Sequence, residues 1–449
     1  MILTPDQEVA ANTIKSWAEN RIFKREDDYF ITLSGYAGTG KTTVMNIILQ
    51  NLKHKKVVVS APTHKAKKVI AKSTNRPAET IQKLLGLRPN VEIEDFNPNK
   101  PIFMQLAEET IQYYQILVID EASMLNSAII DLIYEKAVKH KVKVIFMGDK
   151  YQLPPVNEKI SKVFLLTNIV NLETIVRQSN SNPNQKLIEI ARNDVRDETD
   201  NIMQYLTDIK IDINENEGFK RLEKAEFYDA TVEKYYDAEY NQNPDIVKTI
   251  AWTNKTVKVL NRYIRGKIIQ SNELIEVGDI LMGYKSITKE IKVAPYYIPI
   301  IENSADYIVS QVRIIDNVIL GVKLKGYSVE FKDCSLPVFI LHPDSYEDFI
   351  KEYNIRLNIG KTQRRWKQFY DFKDPICLFE DIIDEHGSLV ASKDLDYGYA
   401  ITVHKSQGST YENVSILLSD LLKNRTASER RKLIYVALSR TSKLNIIYA

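Results

Sequence analysis

The sequence predicts an α/β fold with two parallel-sheet cores, and three observations predict it. Short apolar runs alternate with helix-forming stretches, the rhythm of strand–helix–strand units. Polar and glycine-rich blocks follow directly on those runs, where ligands bind in parallel sheets. The rhythm breaks after Gly283 and resumes at Tyr399, so the second core carries an insertion. With 449 residues, 44% of them hydrophobic, the chain is long enough for several packed domains. The expected division is 1–180 for the first core, 181–284 with 396–449 for the second, and 285–395 for the insertion.

The elements follow in order. MILTPDQEVAANTIKSW opens as an amphipathic helix, with Thr4 as N-cap and Pro5 in the first turn. YFITLS at 29–34 is an apolar strand that feeds a glycine loop, and a helix runs from Thr42 to about Lys53. VVVS at 57–60 is a second strand, and a Lys-rich helix begins near His64. VEIEDF, NPNK and PIFM, within about 87–108, read as a β-hairpin with a Pro/Asn turn. ILVI at 116–119 and VKVIFM at 142–147 are further strands, ending on Asp120 and on Gly148-Asp149. The second unit starts near Asn184, with a strand at 247–252 and a helix at 255–269. Short β-like runs after Tyr284 predict a small β-barrel-like insertion. A helical arm follows, rich in aromatic residues such as Phe349, Tyr353, Trp366 and Phe369. That spacing is the packing pattern of the arm's own core. A strand at 414–418, a helix at 427–438 and a strand at 445–448 complete the second core.

Composition narrows the function. The formal net charge is +2, so any surface for a polyanion must be a local groove. Cys334 and Cys377 are the only cysteines, too few for a disulfide framework or a zinc site, and a reducing cytoplasm is expected. No run approaches the roughly 18 apolar residues of a membrane helix.

GYAGTGKT at 35–42 fits G-x-x-x-x-G-K-[ST], a loop whose backbone N–H groups wrap the phosphates of a nucleoside triphosphate. Its position between an apolar strand and a helix is the context that pattern requires. Gly38, Thr39, Gly40, Lys41, Thr42 and Thr43 are the expected ATP contacts. Lys41 neutralises β- and γ-phosphate charge, and the Thr42 hydroxyl faces Mg²⁺. Asp120 is the expected second Mg²⁺ partner, through water, and Glu121 the base that orients or deprotonates the attacking water. Arg177 and Arg440 are candidates for stabilising the γ-phosphate as its bond breaks. Gln152 is a candidate γ-phosphate sensor, and Gln7 a candidate partner for the adenine edge. Each of these polar residues has a plain alternative as a solvated charge, a cap or a turn. APTHKAKK, TIQKL and TVHKSQGST carry hydroxyl, imidazole and ammonium groups, either as phosphate contacts or as helix caps.

GYAGTGKTT, APTHKAKK, TIQKLL, VIDEASM, GDKYQLPPV, VRQS, AITVHKSQGST and YVALSRT, in this order, resemble the motifs of superfamily 1 DNA helicases. The resemblance spans residues 7–441 and is greatest to the 5′-to-3′ branch that includes RecD. It implies two RecA-like cores with ATP and Mg²⁺ between them. Gln7, Lys41, Thr42, Asp120, Glu121, Gln152, Arg177 and Arg440 match nucleotide-site positions, and Glu412 a position near the ribose. Thr63, His64, Thr80, His404 and Lys405 match segments that contact a single strand. The hairpin then becomes a candidate strand-separating wedge with Phe96 at its tip, the alternative being a surface hairpin with one buried Phe. The implied partners are single-stranded and tailed duplex DNA, and a single-strand-binding protein. The expected form is a monomer with no membrane, in the bacterial host cytoplasm if the source is viral. The competing readings are an RNA helicase or protein-displacing translocase, and a P-loop switch or assembly ATPase.

Overall fold

The structure is a computed structural model of the chain; it describes all residues except 1–2, 63, 90–102, 156, 177–181, 237–239, 241, 291–296 and 333. The first lobe opens with helix α1 (Pro5–Glu19), strand β1 (Phe30–Gly35), α2 (Lys41–Asn51), β2 (Val57–Ser60), α3 (His64–Thr74) and the short α4 (Ile81–Leu84). A two-stranded ribbon, β3 (Leu87–Pro89) with β4 (Phe103–Gln105), pairs Leu87 with Gln105 and Pro89 with Phe103. Its tip, with Phe96, lies outside the described residues. Then come β5 (Ile116–Ile119), α5 (Ser127–His140), β6 (Lys143–Gly148) and β7 (Ile169–Leu172). The main sheet has the order β2-β5-β6-β1-β7 and is parallel throughout.

Strand alternation explains why this sheet is covered on both faces. Ile31, Leu33, Ile145 and Met147 pack with Ile14 of α1 and with Val44 and Ile48 of α2. Their neighbours Phe30, Val144 and Phe146 point the other way, onto Ile130 and Ile133 of α5. Asn126 starts α5 by accepting the Ile129 N–H through its side chain at 2.9 Å.

The second lobe contains α6 (Asn184–Asp197), α7 (Asn201–Asp208), β8 (Ile211–Asn214), β9 (Glu217–Arg221), α8 (Lys224–Tyr235), β10 (Val247–Ala251) and α9 (Asn254–Ile268). The chain then leaves through β11 (Ile280–Gly283), the ribbon β12 (Ile287–Glu290) with β13 (Tyr297–Ile301), the long β14 (Asp306–Ile319), β15 (Val322–Phe331) and β16 (Cys334–Leu341). Helices α10 (Tyr346–Gln363) and α11 (Trp366–Lys373) follow, then β17 (Ile376–Cys377), the ribbon β18 (Ile382–Ile383) with β19 (Leu389–Ala391), and β20 (Leu395–Tyr397). It re-enters the second lobe with β21 (Ala400–Thr402), α12 (Val403–Ser406), β22 (Tyr411–Leu417), α13 (Leu418–Leu421), α14 (Ala427–Leu438) and β23 (Thr441–Tyr448). The second sheet has the order β21-β10-β22-β23-β9-β8, parallel except for the edge pair β8–β9.

The inserted sheet corrects one expectation. Its order is β17-β16-β15-β14-β11-β20, with open edges at β17 and β20, so it is not a closed barrel. The helical arm supplies the reason. Leu324, Phe339 and Leu341 of the sheet pack with Phe349 and Tyr353 of α10 and with Trp366, Phe369 and Phe372 of α11. A sheet face covered by helices has no need to curl round and bury itself. The aromatic arm is therefore a packed core, and Gly360 is part of it: a Cβ there would meet the Trp366 ring at 2.8 Å.

Candidate nucleotide and nucleic-acid sites

Strand β1 ends on Gly35, the chain turns through residues 36–40, and α2 begins at Lys41. The turn needs glycine. Gly38 and Gly40 have φ of 84° and 76°, in the left-handed region, and a Cβ on Gly40 would lie 2.8 Å from the Gln7 amide nitrogen. Lys41 Nζ donates to the carbonyls of Gly35 and Tyr36, at 2.8 and 3.1 Å, and so lies over the loop's mouth. The Thr39 hydroxyl is spent inside the loop, donating to Tyr36 O at 2.9 Å. Gln7 is buried against the same turn: its Nε2 donates to Thr39 O at 3.0 Å, and its Oε1 accepts the Thr4 N–H at 3.1 Å. Gln7 thus braces the loop from α1.

Asp120 follows β5. Burial raises the pKa of its carboxyl, the neighbouring Glu121 charge adds to the rise, and Lys41 and the Glu121 N–H oppose it. Two acids close together in a poorly solvated cleft make a site that a hard cation relieves. Glu121 sits at φ 51°, a left-handed conformation that costs a non-glycine residue energy and is held here by its surroundings. Gly408 of the second lobe lies against it; a Cβ there would stand 3.4 Å from Glu121 Cγ.

These groups share one cleft of about 420 Å³ between the lobes. The first lobe lines it with Gly38, Gly40, Lys41, Thr42, Thr43, Asp120, Glu121 and Gln152, and the second with Gly408, Ser409, Thr410 and Arg440. Gln152 Oε1 is buried there without a hydrogen-bond partner among the described residues. Arg440 is buried and aimed by three contacts: Nε to Val436 O at 3.0 Å, Nη1 to Ser409 O at 3.2 Å and Nη2 to Ser439 Oγ at 2.8 Å. Among the described residues no three His, Cys, Asp or Glu side chains gather as a metal cage. An oxygen pair such as Thr42 and Asp120 suits Mg²⁺, which keeps its waters and completes its shell with phosphate oxygens.

Other expected site residues lie elsewhere. Glu412 pairs with Lys443 at 2.6 Å and does not line the cleft, because the β22–β23 pairing sets the two side chains together. The Thr80 hydroxyl caps α4 by accepting the Lys83 N–H at 3.2 Å. Lys405 turns inward: its Nζ stands 3.4 Å from the centre of the Tyr284 ring, with Lys393 4.2 Å from the same ring. Burial, then the Lys393 charge, lowers the Lys405 pKa to about 8. Burial also lowers the pKa of His404, leaving a neutral imidazole at pH 7. Arg177 and Thr63 lie outside the described residues, as does the side chain of His64, which opens α3. Sequence reading missed Tyr284, whose role depends on two lysines distant in the chain, and Tyr435, which reaches across from the second lobe.

Comparison with known proteins agrees with this geometry. A family profile for an AAA domain matches residues 11–209, and one for a UvrD-like helicase C-terminal domain matches 397–448. The ATP-dependent DNA helicase Dda of Enterobacteria phage T4 is 26% identical, over 93% of each chain. The chain is a superfamily 1 helicase related to Dda. An uncharacterised protein of Acanthamoeba polyphaga mimivirus is 25% identical to this helicase over 97% of each chain. In fold, the helicase is similar to Pif1 from Candida albicans, with a TM-score of 0.51 and 17% identity, covering 100% of this chain and 94% of that one. It is also similar to Bacteroides Pif1 in complex with ADP-AlF3 and ssDNA, with a TM-score of 0.50 and 18% identity, covering 99% and 92%.

Proposed function

We propose that this helicase hydrolyses ATP between its two lobes, moves 5′-to-3′ along single-stranded DNA and separates the strands of a duplex. The observation that carries the reading is the cleft in which Lys41, Thr42, Asp120 and Glu121 of one parallel sheet face Arg440 of the other. A site divided this way ties phosphate chemistry to lobe movement. Thr42 and Asp120 would hold Mg²⁺, which neutralises phosphate charge when bound. Glu121 would take the proton of the attacking water, Gln152 would donate an amide N–H to the γ-phosphate, and Arg440 would stabilise charge as the bond breaks. Arg177, outside the described residues, would share that role. Both halves of the site come from one chain, so a monomer suffices. No helix of the described residues is long and apolar enough to cross a membrane. If the source is viral, the enzyme would act in the host cytoplasm, alongside single-strand-binding protein.

The strand would run across α3, α4 and α12, where His64, Thr80 and His404 sit. With His404 neutral and Lys405 held over Tyr284, grip there would depend on hydrogen bonds and stacking more than on ion pairs. The β3–β4 ribbon would carry the wedge. A strand-displacement assay with ATP and Mg²⁺ tests the proposal, using duplexes with a 5′ or a 3′ single-stranded tail. Unwinding of the 5′-tailed duplex alone is expected. Unwinding from the 3′ tail alone would reverse the polarity, and none from either tail would leave a translocase or a switch ATPase.

A further inference from the structure

Helix α14 carries Tyr435 into the boundary between the lobes, where its side chain is fully buried. Its hydroxyl donates to Asp149 Oδ2 at 2.7 Å and accepts the Ala37 N–H at 3.2 Å. Ala37 belongs to the phosphate loop. Asp149 follows β6 and is itself 1% exposed. Its Oδ1 accepts the Tyr151 N–H at 3.0 Å, and its backbone carbonyl accepts the Gln152 N–H at 3.2 Å. One oxygen of the second lobe therefore holds two segments of the first, and both border the nucleotide cleft. A second contact points the same way. The Arg192 guanidinium of α6 covers the Tyr36 ring at 4.3 Å, so adjacent residues of the phosphate loop are both held from the opposite lobe.

Separating the lobes would leave the Tyr435 hydroxyl, the Asp149 carboxylate and the Ala37 N–H without these partners, so the contact favours one lobe arrangement. We propose that Tyr435 is a positioning residue that couples lobe closure to the shape of the phosphate loop through Ala37, and to the setting of Gln152 through Asp149. It touches no reacting atom. The inference rests on the ATP-driven helicase reading and adds the route by which the second lobe informs the first.

The test uses the full chain as parent, Y435F, D149N and the double variant. ATP turnover is measured with Mg²⁺, with and without a single-stranded oligonucleotide, and kcat and KM are read separately. The ratio of DNA-stimulated to basal turnover does not depend on the fraction folded, so a merely structural loss leaves it unchanged. We expect that ratio to fall about tenfold in Y435F, the scale of one lost hydrogen bond to a charged group. D149N, which takes the charge and one acceptor oxygen from the contact, should lower it in the same direction, and the double variant should be no worse than the poorer single variant, since both substitutions act on the same contact. An unchanged ratio in Y435F or in D149N, or losses that multiply in the double variant, would overturn the inference. Should Y435F not fold, D149N alone decides it by the same ratio. A parent whose ATPase ignores single-stranded DNA would instead sink the helicase reading. A parent that responds, with variants responding equally, sinks the coupling role alone.

Discussion

At the scale of single residues, the cleft makes sharp demands on charge. Lys41→Ala should lose most ATPase activity and all unwinding, because phosphate charge would be left uncompensated; normal turnover would remove the assigned loop. Glu121→Gln keeps shape and removes the base. It should still bind ATP and DNA but hydrolyse about a hundredfold more slowly or worse, checked by single-turnover hydrolysis alongside nucleotide binding. Much of this was legible in the sequence, since Gly38, Gly40, Lys41 and Asp120 act through local backbone turns and strand ends. Lys405 was not. Its ammonium is captured by Tyr284, far away in the chain, and no spacing in TVHKSQGST announces that.

At the scale of elements, the hairpin's base shows how an insertion is held. Glu109, just beyond β4, is 6% exposed. Burial alone would raise its pKa, but bonds from His140, Lys136, Gln105 and Lys139 outweigh that and lower it to about 2. A carboxyl whose folded pKa lies below its usual 4.5 adds stability at neutral pH, and that contribution is lost as pH falls from about 4.5 towards 2. Glu109→Gln should therefore be less stable than the parent at pH 7, and the difference in thermal midpoint should shrink on acidification through that window. A constant difference would mean that the carboxylate charge is not what holds the base. The sequence predicted a hairpin from a Pro/Asn turn that lies outside the described residues; the described ribbon pairs Leu87–Pro89 with Phe103–Gln105. The anchor was hidden because Lys136, Lys139 and His140 lie on α5 and read as an ordinary solvated helix end.

At the scale of the whole molecule, two near-complete parallel sheets meet over one nucleotide cleft, with a third sheet grafted onto the second. A net charge of only +2 confines nucleic-acid binding to local contacts. Binding of single-stranded DNA should still weaken as salt rises, with a slope that reports the few phosphates neutralised. Titration of a labelled oligonucleotide at several salt concentrations measures it; affinity independent of salt would argue against backbone contacts. ATP should also stabilise the folded parent, by about 2.7 kcal/mol at a hundred times its Kd, and this gain should vanish in Lys41→Ala.

The sequence by itself determined the α/β class, the phosphate loop, the acid pair after β5 and the order of motifs. Those are properties of periodicity and of residues adjacent in the chain, which the local backbone expresses wherever it folds. Tertiary structure decided that the inserted sheet stays open, that Glu412 goes to Lys443, that Lys405 lies on Tyr284, and that Tyr435 reaches Ala37. Each depends on which surfaces pack together. The Tyr435–Ala37 contact joins positions 398 residues apart, and only the docking of one lobe on the other brings that hydroxyl within reach of the loop.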